Sequence, residues 1–223
     1  MNKYAIIIAG PSGAGKTTVA DSLIASLGNL EMSRSATTRE KRGDGRDDEY
    51  IYLQKGEFLE SISNGDMLEY TEYSGNFYGT RKCEFERIWG MNKNPILVLD
   101  YYGVASLKSN LDIPVFAIYV YTSLEEAERR LVKRDAVSTQ TEKQKETLLK
   151  RIKANALDYS KLSEFAPLFD LYVENSDLST CVKAVEDALC ELMSGKSVMT
   201  EEEKIAVTDK FKAEAEEFEK RSV

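Results

Sequence analysis

The segment GPSGAGKT, residues 10–17, places three glycines, a lysine and a threonine between an apolar run and an amphipathic run. The preceding residues 4–9 (YAIIIA) are typical of a buried parallel strand. The following residues show helical spacing, as at Leu23 and Leu27, and Gly28 is a suitable C-terminal stop. A strand, a glycine loop and a helix in this order predict the start of an α/β domain.

The same eight residues fit the pattern G-x-x-x-x-G-K-[ST], the P-loop, at Gly10, Gly15, Lys16 and Thr17. Glycines let the backbone curl so that successive N–H groups point at phosphate oxygens, and the helix N-terminus adds its positive dipole end. The lysine offers a point charge to the β- and γ-phosphates, and the threonine hydroxyl is a ligand for Mg²⁺. The alternative is a plain glycine turn, but the flanking strand and helix are the context that the motif requires.

We therefore expect ATP with Mg²⁺ at this loop. The Thr17 hydroxyl is the predicted metal ligand. One protein ligand is enough, because nucleotide phosphates supply other oxygens to the Mg²⁺ ion. The predicted ATP-binding residues are Gly10, Pro11, Ser12, Gly13, Ala14, Gly15, Lys16, Thr17 and Thr18.

Composition limits the remaining chemistry. The 223 residues include no histidine, which excludes Ser-His and Cys-His nucleophilic catalysis and histidine metal sites. The cysteines Cys83, Cys181 and Cys190 form no CxxC pair, so we expect reduced thiols. A net charge of −8 disfavours non-specific nucleic-acid binding. No apolar run approaches the roughly 18 residues of a membrane span, and we expect a cytoplasmic protein without membrane or nucleic-acid partners.

Strand-like runs recur at residues 95–100, 114–121 and 171–175, and helical patterns separate them. One of these helices opens with Ser123 and Glu126, a capping-box pair. Strands that alternate with helices predict an α/β fold, a P-loop NTPase core with a parallel sheet flanked by helices. The predicted core comprises residues 1–32, 81–132 and 161–196.

Three segments depart from this alternation. Residues 33–80 carry short alternating strands and a Ser-Gly-Asn turn, and predict an inserted α+β lobe. Residues 133–160 are polar and basic with a helical tail, typical of a solvated face or a mobile lid. Residues 197–223 open with a second capping box, Thr200 and Glu203, and predict an acidic C-terminal helical extension. This helix either packs on its own domain, which we favour, or binds a partner.

Together with the P-loop, the stretches SRSATTREKRGDGRDDEYIY and GDMLEYTEYSGNFYGT resemble the guanylate kinase family of nucleoside monophosphate kinases. The resemblance runs from about residue 4 to about residue 192. It implies that residues 33–80 are a GMP-binding lobe and residues 133–160 a helical lid. It also implies ATP-dependent phosphorylation of GMP, and of dGMP, to GDP.

The resemblance assigns the GMP phosphate and guanine to residues of the lobe. SRSATTR matches the family's S-x-S-x-T-T-R stretch, which places Ser35 at the guanine and Arg39 at the phosphate. Arg42 matches the second phosphate arginine, and Tyr50 matches the tyrosine of D-Y-x-F. Arginine forks suit a phosphate dianion, and a phenol can donate to the same oxygens.

The remaining GMP contacts come from three further stretches. MLE matches F-L-E and gives Glu69 as the base reader, GNFYGT gives Tyr78 and Thr80, and LDYYGV gives Asp100. A carboxylate accepts both guanine donors, N1–H and the exocyclic amine, while hydroxyls donate to O6. Adenine presents an acceptor at N1 and would leave the carboxylate unpaired, a strong discrimination. Alternatively, Asp100 only caps the turn that follows it.

The lid arginines of the family's R-L-x-x-R stretch match Arg130 and Arg134, and the arginine of the following helix matches Arg151. With Lys16 and Arg39 they form the predicted catalytic set. In-line phosphoryl transfer needs mainly positioning and charge neutralisation, so the absence of histidine is no obstacle.

Two other functions remain open at this point. One is a P-loop kinase of another small phosphate, such as ribose 1,5-bisphosphate; Glu69, Ser35 and Thr80 argue against it because such an acceptor needs no guanine reader. The other is a non-catalytic guanylate-kinase-like binding module. Lys16 and Thr17 argue against that function, because the phosphate-binding loop is intact.

Overall fold

The computed structural model of the chain describes residues 2–41, 47–73, 75–135 and 142–221. Strands and helices alternate over most of this length. The strands are β1 (Ala5–Ala9), β2 (Leu30–Met32), β3 (Ser35–Thr37), β4 (Tyr50–Tyr52), β5 (Met67–Tyr73), β6 (Asn76–Arg81), β7 (Asn94–Val98), β8 (Val115–Tyr121) and β9 (Leu171–Glu174). The helices are α1 (Lys16–Leu27), α2 (Lys55–Ser63), α3 (Lys82–Gly90), α4 (Tyr101–Asn110), α5 (Leu124–Asp135), α6 (Glu142–Lys161), α7 (Leu178–Met193) and α8 (Glu201–Arg221), and short 3-10 helices cover Asp47–Glu49 and Leu162–Leu168.

The larger sheet has five strands in the order β2-β7-β1-β8-β9. Leu30 of β2 lies opposite Asn94 of β7, Ile118 of β8 lies opposite Leu171 of β9, and both pairings are parallel. Every residue of β1 is buried, as expected of a parallel strand in a sheet covered by helices. The predicted α/β fold is confirmed. The sequence did not reveal β2, because three residues are too few to show a period.

The smaller sheet has four strands in the order β4-β3-β6-β5. β3 pairs in parallel with β4 and antiparallel with β6, and β5 pairs antiparallel with β6. Helix α2 covers the sheet with Phe58, whose ring stacks on Phe77 with centroids 5.4 Å apart. These elements span residues 35–81, one residue past the range 33–80 where the sequence predicts an α+β lobe.

The chain divides into two compact units. The first contains the described residues up to Ile7 together with Ala20–Phe116, and therefore the whole smaller sheet. The second contains Ile8–Val19 and the described residues from Ala117 onward, and therefore the P-loop and helices α5 to α8. The division passes through β1 rather than through the domain limits that the sequence predicts, which stay predictions.

Helix α8 packs against α6 and the second 3-10 helix within the second unit. Its N-terminus carries a complete capping box, because Thr200 N donates to Glu203 Oε2 at 2.8 Å and Glu203 N donates to Thr200 Oγ1 at 3.2 Å. Phe211, only 3% exposed, is the apolar anchor of the helix. Within the described parts of the chain, no helix combines the length and apolarity that crossing a membrane requires.

Candidate active site

The P-loop joins β1 to α1, and its backbone demands glycine. Gly10, Gly13 and Gly15 have φ values of +142°, +89° and +89°, which side chains other than hydrogen disfavour. A Cβ at Gly10 would lie 1.9 Å from the carbonyl oxygen of Val120, and one at Gly13 would lie 2.6 Å from that of Ala127. The loop thus runs against the backbones of β8 and α5, which only glycine permits.

Lys16 holds its ammonium group within the curl of the loop. Nζ donates to the carbonyl oxygens of Gly10 at 2.8 Å and Pro11 at 2.9 Å. Thr17 follows in the first turn of α1 and is half-buried. The predicted phosphate charge and the predicted metal-ligating hydroxyl therefore stand side by side at a helix N-terminus, the position that favours a bound anion.

Two asparagines support the loop from the rest of the second unit. Asn155 of α6 accepts from Ser12 N through Oδ1 and donates to Ser12 O through Nδ2, both at 2.8 Å. Asn175, the residue after β9, donates from Nδ2 to Ala14 O at 2.7 Å. Both side chains are at least 95% buried. Neither residue was among the sites predicted from the sequence.

Arg130 of α5, one of the predicted lid arginines, lies beside the P-loop. Its Nη2 donates to Asn175 O at 2.8 Å and its Nε donates to Glu126 Oε1 at 2.7 Å. A Cβ built on Gly15 would be 3.9 Å from its Nη1. Hydrogen bonds from Arg129 and Arg130 lower the pKa of Glu126 to about 2, so this partner remains charged. Arg130 thus presents a fixed cation near the phosphate loop.

The sequence predicts two further lid arginines, Arg134 and Arg151. Arg134 lies on α5, but its side chain is outside the described residues. Arg151 lies on α6, half-buried and one helical turn before Asn155. Its role stays a prediction.

Glu69 is the buried acid of the smaller sheet. It lies on β5 opposite Thr80 of β6, is 5% exposed and accepts from Thr80 Oγ1 at 2.6 Å. Burial raises its pKa to about 7, the hydrogen bond from Thr80 opposes this rise, and the negative charge of Asp100 adds to it. A carboxylate that titrates near neutral pH and is held by Thr80 has lone pairs left to accept hydrogen bonds from a ligand.

Asp100 also has a structural role. It is the N-cap of α4, and its Oδ1 accepts from Gly103 N at 2.8 Å. The capping alternative drawn from the sequence is therefore realised. Its negative charge also contributes to the raised pKa of Glu69, and its role as a GMP ligand stays a prediction.

The predicted phosphate ligands also come together on the smaller sheet. The guanidinium carbon of Arg39 lies 4.8 Å from the ring centroid of Tyr50, and the Tyr78 ring meets Tyr50 edge-on with centroids 6.4 Å apart. Ser35 is half-buried and pairs in register with Tyr50. This cation–π contact restrains the position of the Arg39 guanidinium. Arg42 lies outside the described residues.

The missed asparagines left only weak signals in the sequence. Asn175 closes the strand-like run 171–175, and ligands of α/β folds gather where strands end. Asn155 is a polar residue on the apolar face of a helix, between Ile152 and Tyr159. Such a position suggests a buried hydrogen bond without naming its partner, since that partner is 143 residues away.

Comparison with known proteins identifies relatives over most of the chain. The guanylate kinase family model matches residues 2–192. The guanylate kinase of Porphyromonas gingivalis is 38% identical over 193 residues, which cover 85% of this chain and 97% of that protein. The human guanylate kinase is 33% identical over 188 residues, 83% of this chain and 92% of that protein. The solved guanylate kinase of Anaplasma phagocytophilum shares the fold, with a TM-score of 0.61 at 24% identity over 89% of this chain and 88% of that one.

Proposed function

Because this chain belongs to the guanylate kinase family, we propose that it transfers the γ-phosphoryl group of ATP to GMP, and to dGMP, and releases ADP and GDP or dGDP. The observation that carries this proposal is the buried Glu69–Thr80 pair in a chain with an intact P-loop. A carboxylate can accept from two adjacent donors, and among the common nucleobases guanine alone offers such a pair, N1–H and its exocyclic amine, on one edge.

Guanine recognition rests on the protonation state of Glu69. Its ionised carboxylate accepts from N1–H and the exocyclic amine of guanine, and these donors replace the water that burial removes. Thr80 donates its hydroxyl proton to one carboxylate oxygen and so orients it, and Ser35 supplies the hydroxyl for O6. Adenine places a lone pair against the carboxylate, so AMP leaves a buried polar group unpaired.

The GMP phosphate is held by Arg39 with Tyr50 and Tyr78. The Arg39 guanidinium is oriented over the Tyr50 ring and donates from Nη1 to Glu40 O at 3.0 Å. Its planar fork offers two parallel N–H groups to phosphate oxygens, and the two phenols add donors. Arg42 is the proposed second fork. These groups orient one phosphate oxygen as the nucleophile and shield its charge from the incoming phosphoryl group.

The P-loop holds the triphosphate of ATP. Backbone N–H groups of the loop and of the α1 N-terminus bind phosphate oxygens, and the Lys16 ammonium group pairs with the β- and γ-phosphates. Arg130, and the proposed partners Arg134 and Arg151, neutralise charge on the transferring group. No covalent enzyme intermediate is required, since a GMP oxygen attacks phosphorus directly and ADP leaves.

The loop also fits Mg²⁺. Among the described residues no cluster of three or more acidic or cysteine side chains could hold a metal alone, which suits an ion held largely by nucleotide phosphates. The half-buried Thr17 is the residue that would ligate it. When bound, the ion neutralises phosphate charge.

Nothing in the site favours a phosphosugar kinase or a non-catalytic binding module. The decisive experiment measures ADP formation from ATP and Mg²⁺ with GMP, dGMP, AMP, CMP and UMP offered separately. We expect turnover with GMP and dGMP alone. ADP formation with none of the five, despite measurable ATP binding, would assign another phosphate acceptor. Absence of ATP binding would instead assign a binding module.

A further inference from the structure

The backbone N–H and C=O of Ser12 are both hydrogen-bonded to one side chain of α6. Asn155 uses both ends of its amide on this residue, accepting from Ser12 N and donating to Ser12 O, each at 2.8 Å. Asn155 is 3% exposed. Because one side chain makes both bonds to the same residue, the loop cannot shift at Ser12 without breaking the two together.

Helix α6 is itself fixed by its apolar face. Ile152, Ala156 and Tyr159 lie at helical spacing around Asn155 and are all buried. The Tyr159 hydroxyl donates to the carbonyl oxygen of Thr122, just before α5. The position of Asn155 therefore depends on what covers Tyr159.

Helix α8 supplies that cover. The ring of Phe211 stacks on Tyr159 with centroids 4.5 Å apart and planes inclined by 27°, and it meets Tyr121 edge-on at 4.7 Å. Phe211 is 3% exposed and Ala215, one turn later, is 1% exposed. The family match ends at residue 192, so this support comes from outside the part of the chain shared with the family.

A second contact leads from α8 to the start of α5. Glu214 Oε1 accepts from the backbone N of Leu124 at 2.6 Å, which caps the helix that carries Arg130. Arg130 in turn donates to Asn175 O at 2.8 Å, and Asn175 donates to Ala14 O at 2.7 Å. Helix α8 thus contacts α6, whose Asn155 binds Ser12 directly, and α5, whose Arg130 is linked to the P-loop through Asn175.

We propose that α8 supports the ATP site. Through Phe211 and Glu214 it fixes α6 and α5, so that Asn155 holds Ser12 and preorganises the P-loop for ATP. Asn155 is a positioning residue, since it touches the loop and not the nucleotide. This inference rests on the proposed function in that it takes the P-loop to bind ATP. A helix that only stabilised the fold would raise the melting temperature and leave ATP affinity unchanged in the folded protein.

The experiment compares four single variants of the full chain with two matched controls. Asn155→Ala removes both bonds, and Asn155→Asp keeps the shape but places an oxygen against Ser12 O. Phe211→Leu removes the stacked ring, and Glu214→Ala removes the cap. The controls Lys153→Ala and Glu216→Ala change exposed residues of the same two helices.

The readouts are the ATP dissociation constant by calorimetry without GMP, the KM values for both nucleotides, and the melting temperature. We expect Asn155→Ala to weaken ATP binding about tenfold, as loss of two part-buried hydrogen bonds implies, with KM for GMP within about twofold. Phe211→Leu and Glu214→Ala shift ATP affinity in the same direction, and both controls match wild type. Since Phe211 acts through Asn155, the double variant weakens binding by less than the product of the two single effects.

Wild-type ATP affinity in folded Asn155 and α8 variants would overturn the proposal. So would equal losses for ATP and GMP, or effects of Asn155 and Phe211 that multiply independently. Calorimetry with ATP alone separates this result from the proposed reaction. A wild-type protein that binds ATP but does not phosphorylate GMP would reject the reaction and leave the ATP-site test intact.

Discussion

Thr80 donates a 2.6 Å hydrogen bond from Oγ1 to Oε1 of Glu69, the residue opposite it across the β5–β6 pair. Burial raises the pKa of this carboxylate to about 7, the hydrogen bonds from Thr80 oppose the rise, and the charge of Asp100 adds to it. Burying the ionisable carboxyl group of Glu69 beside Thr80 therefore costs folding free energy, as is common for a ligand site.

The first prediction concerns base recognition. Glu69→Ala removes the acceptor for both guanine donors, so kcat/KM for GMP falls by about 10³-fold or more while the ATP dissociation constant stays near wild type. Steady-state kinetics and ATP calorimetry measure the two effects. The control Glu72→Ala, on the same strand but exposed, keeps wild-type kinetics. Equal losses for ATP and GMP would reject Glu69 as the base reader.

The second prediction concerns the pH dependence of GMP binding. Only ionised Glu69 accepts both guanine donors, and its pKa in the free protein is about 7. GMP affinity therefore rises as pH increases through about 7, and binding below that pH releases a proton. Calorimetry in buffers of different ionisation enthalpy counts the proton. In Glu69→Gln this step disappears and only the titration of the GMP phosphate, near pH 6, remains; an unchanged profile would contradict the assignment.

The third prediction concerns stability and follows from the same pKa. Glu69 binds its proton more tightly in the folded protein than in the unfolded chain, because its pKa rises from 4.5 to about 7. Its contribution to the free energy of unfolding is thus fully present below about pH 4.5 and is lost as pH rises to about 7, by up to about 3 kcal/mol. Glu69→Gln, which stays neutral, therefore melts higher than wild type at pH 8 and similarly at pH 5. A gain of equal size at both pH values would disprove the linkage.

The fourth prediction concerns the phosphate fork. Arg39→Lys keeps the positive charge but loses the planar guanidinium over Tyr50, so KM for GMP rises about 10- to 100-fold with little change in KM for ATP. The control Lys41→Gln removes a neighbouring positive charge that lies 5.4 Å from the Tyr52 ring. If lobe charge alone mattered, Lys41→Gln would have the larger effect on GMP.

The fifth prediction concerns the P-loop backbone. In Gly10→Ala the new Cβ would meet Val120 O at 1.9 Å, and backbone must move to relieve the contact. We expect a loss of ATP binding, measured by calorimetry, and a lower melting temperature. The control Gly28→Ala also changes a glycine with a positive φ, +69°, but one with open space around the Cβ; it costs about 1 kcal/mol of stability and leaves ATP binding unchanged. Equal behaviour of the two variants would mean that φ alone, and not close approach, requires glycine at position 10.

The sequence predicted elements whose signal is local. The apolar run before GPSGAGKT is β1, the loop glycines take the backbone angles that the motif requires, and Thr200 with Glu203 forms the predicted capping box. These features follow from hydrophobic period, φ preference and short-range hydrogen bonds, all of which are encoded within a few residues. The family resemblance likewise rested on contiguous motifs, and the comparisons confirm it.

Tertiary structure alone decided which distant residues meet. Asn155 contacts Ser12, which is 143 positions away in the sequence. Phe211 stacks on Tyr159 from helix α8, which lies outside the residues matched by the family model. The pKa of Glu69 depends on burial, which no pattern of charges along the chain reports. The sequence by itself determined the strand, loop and helix that present phosphate ligands. The fold determined how firmly they are held, because packing and desolvation depend on neighbours that only the folded chain brings together.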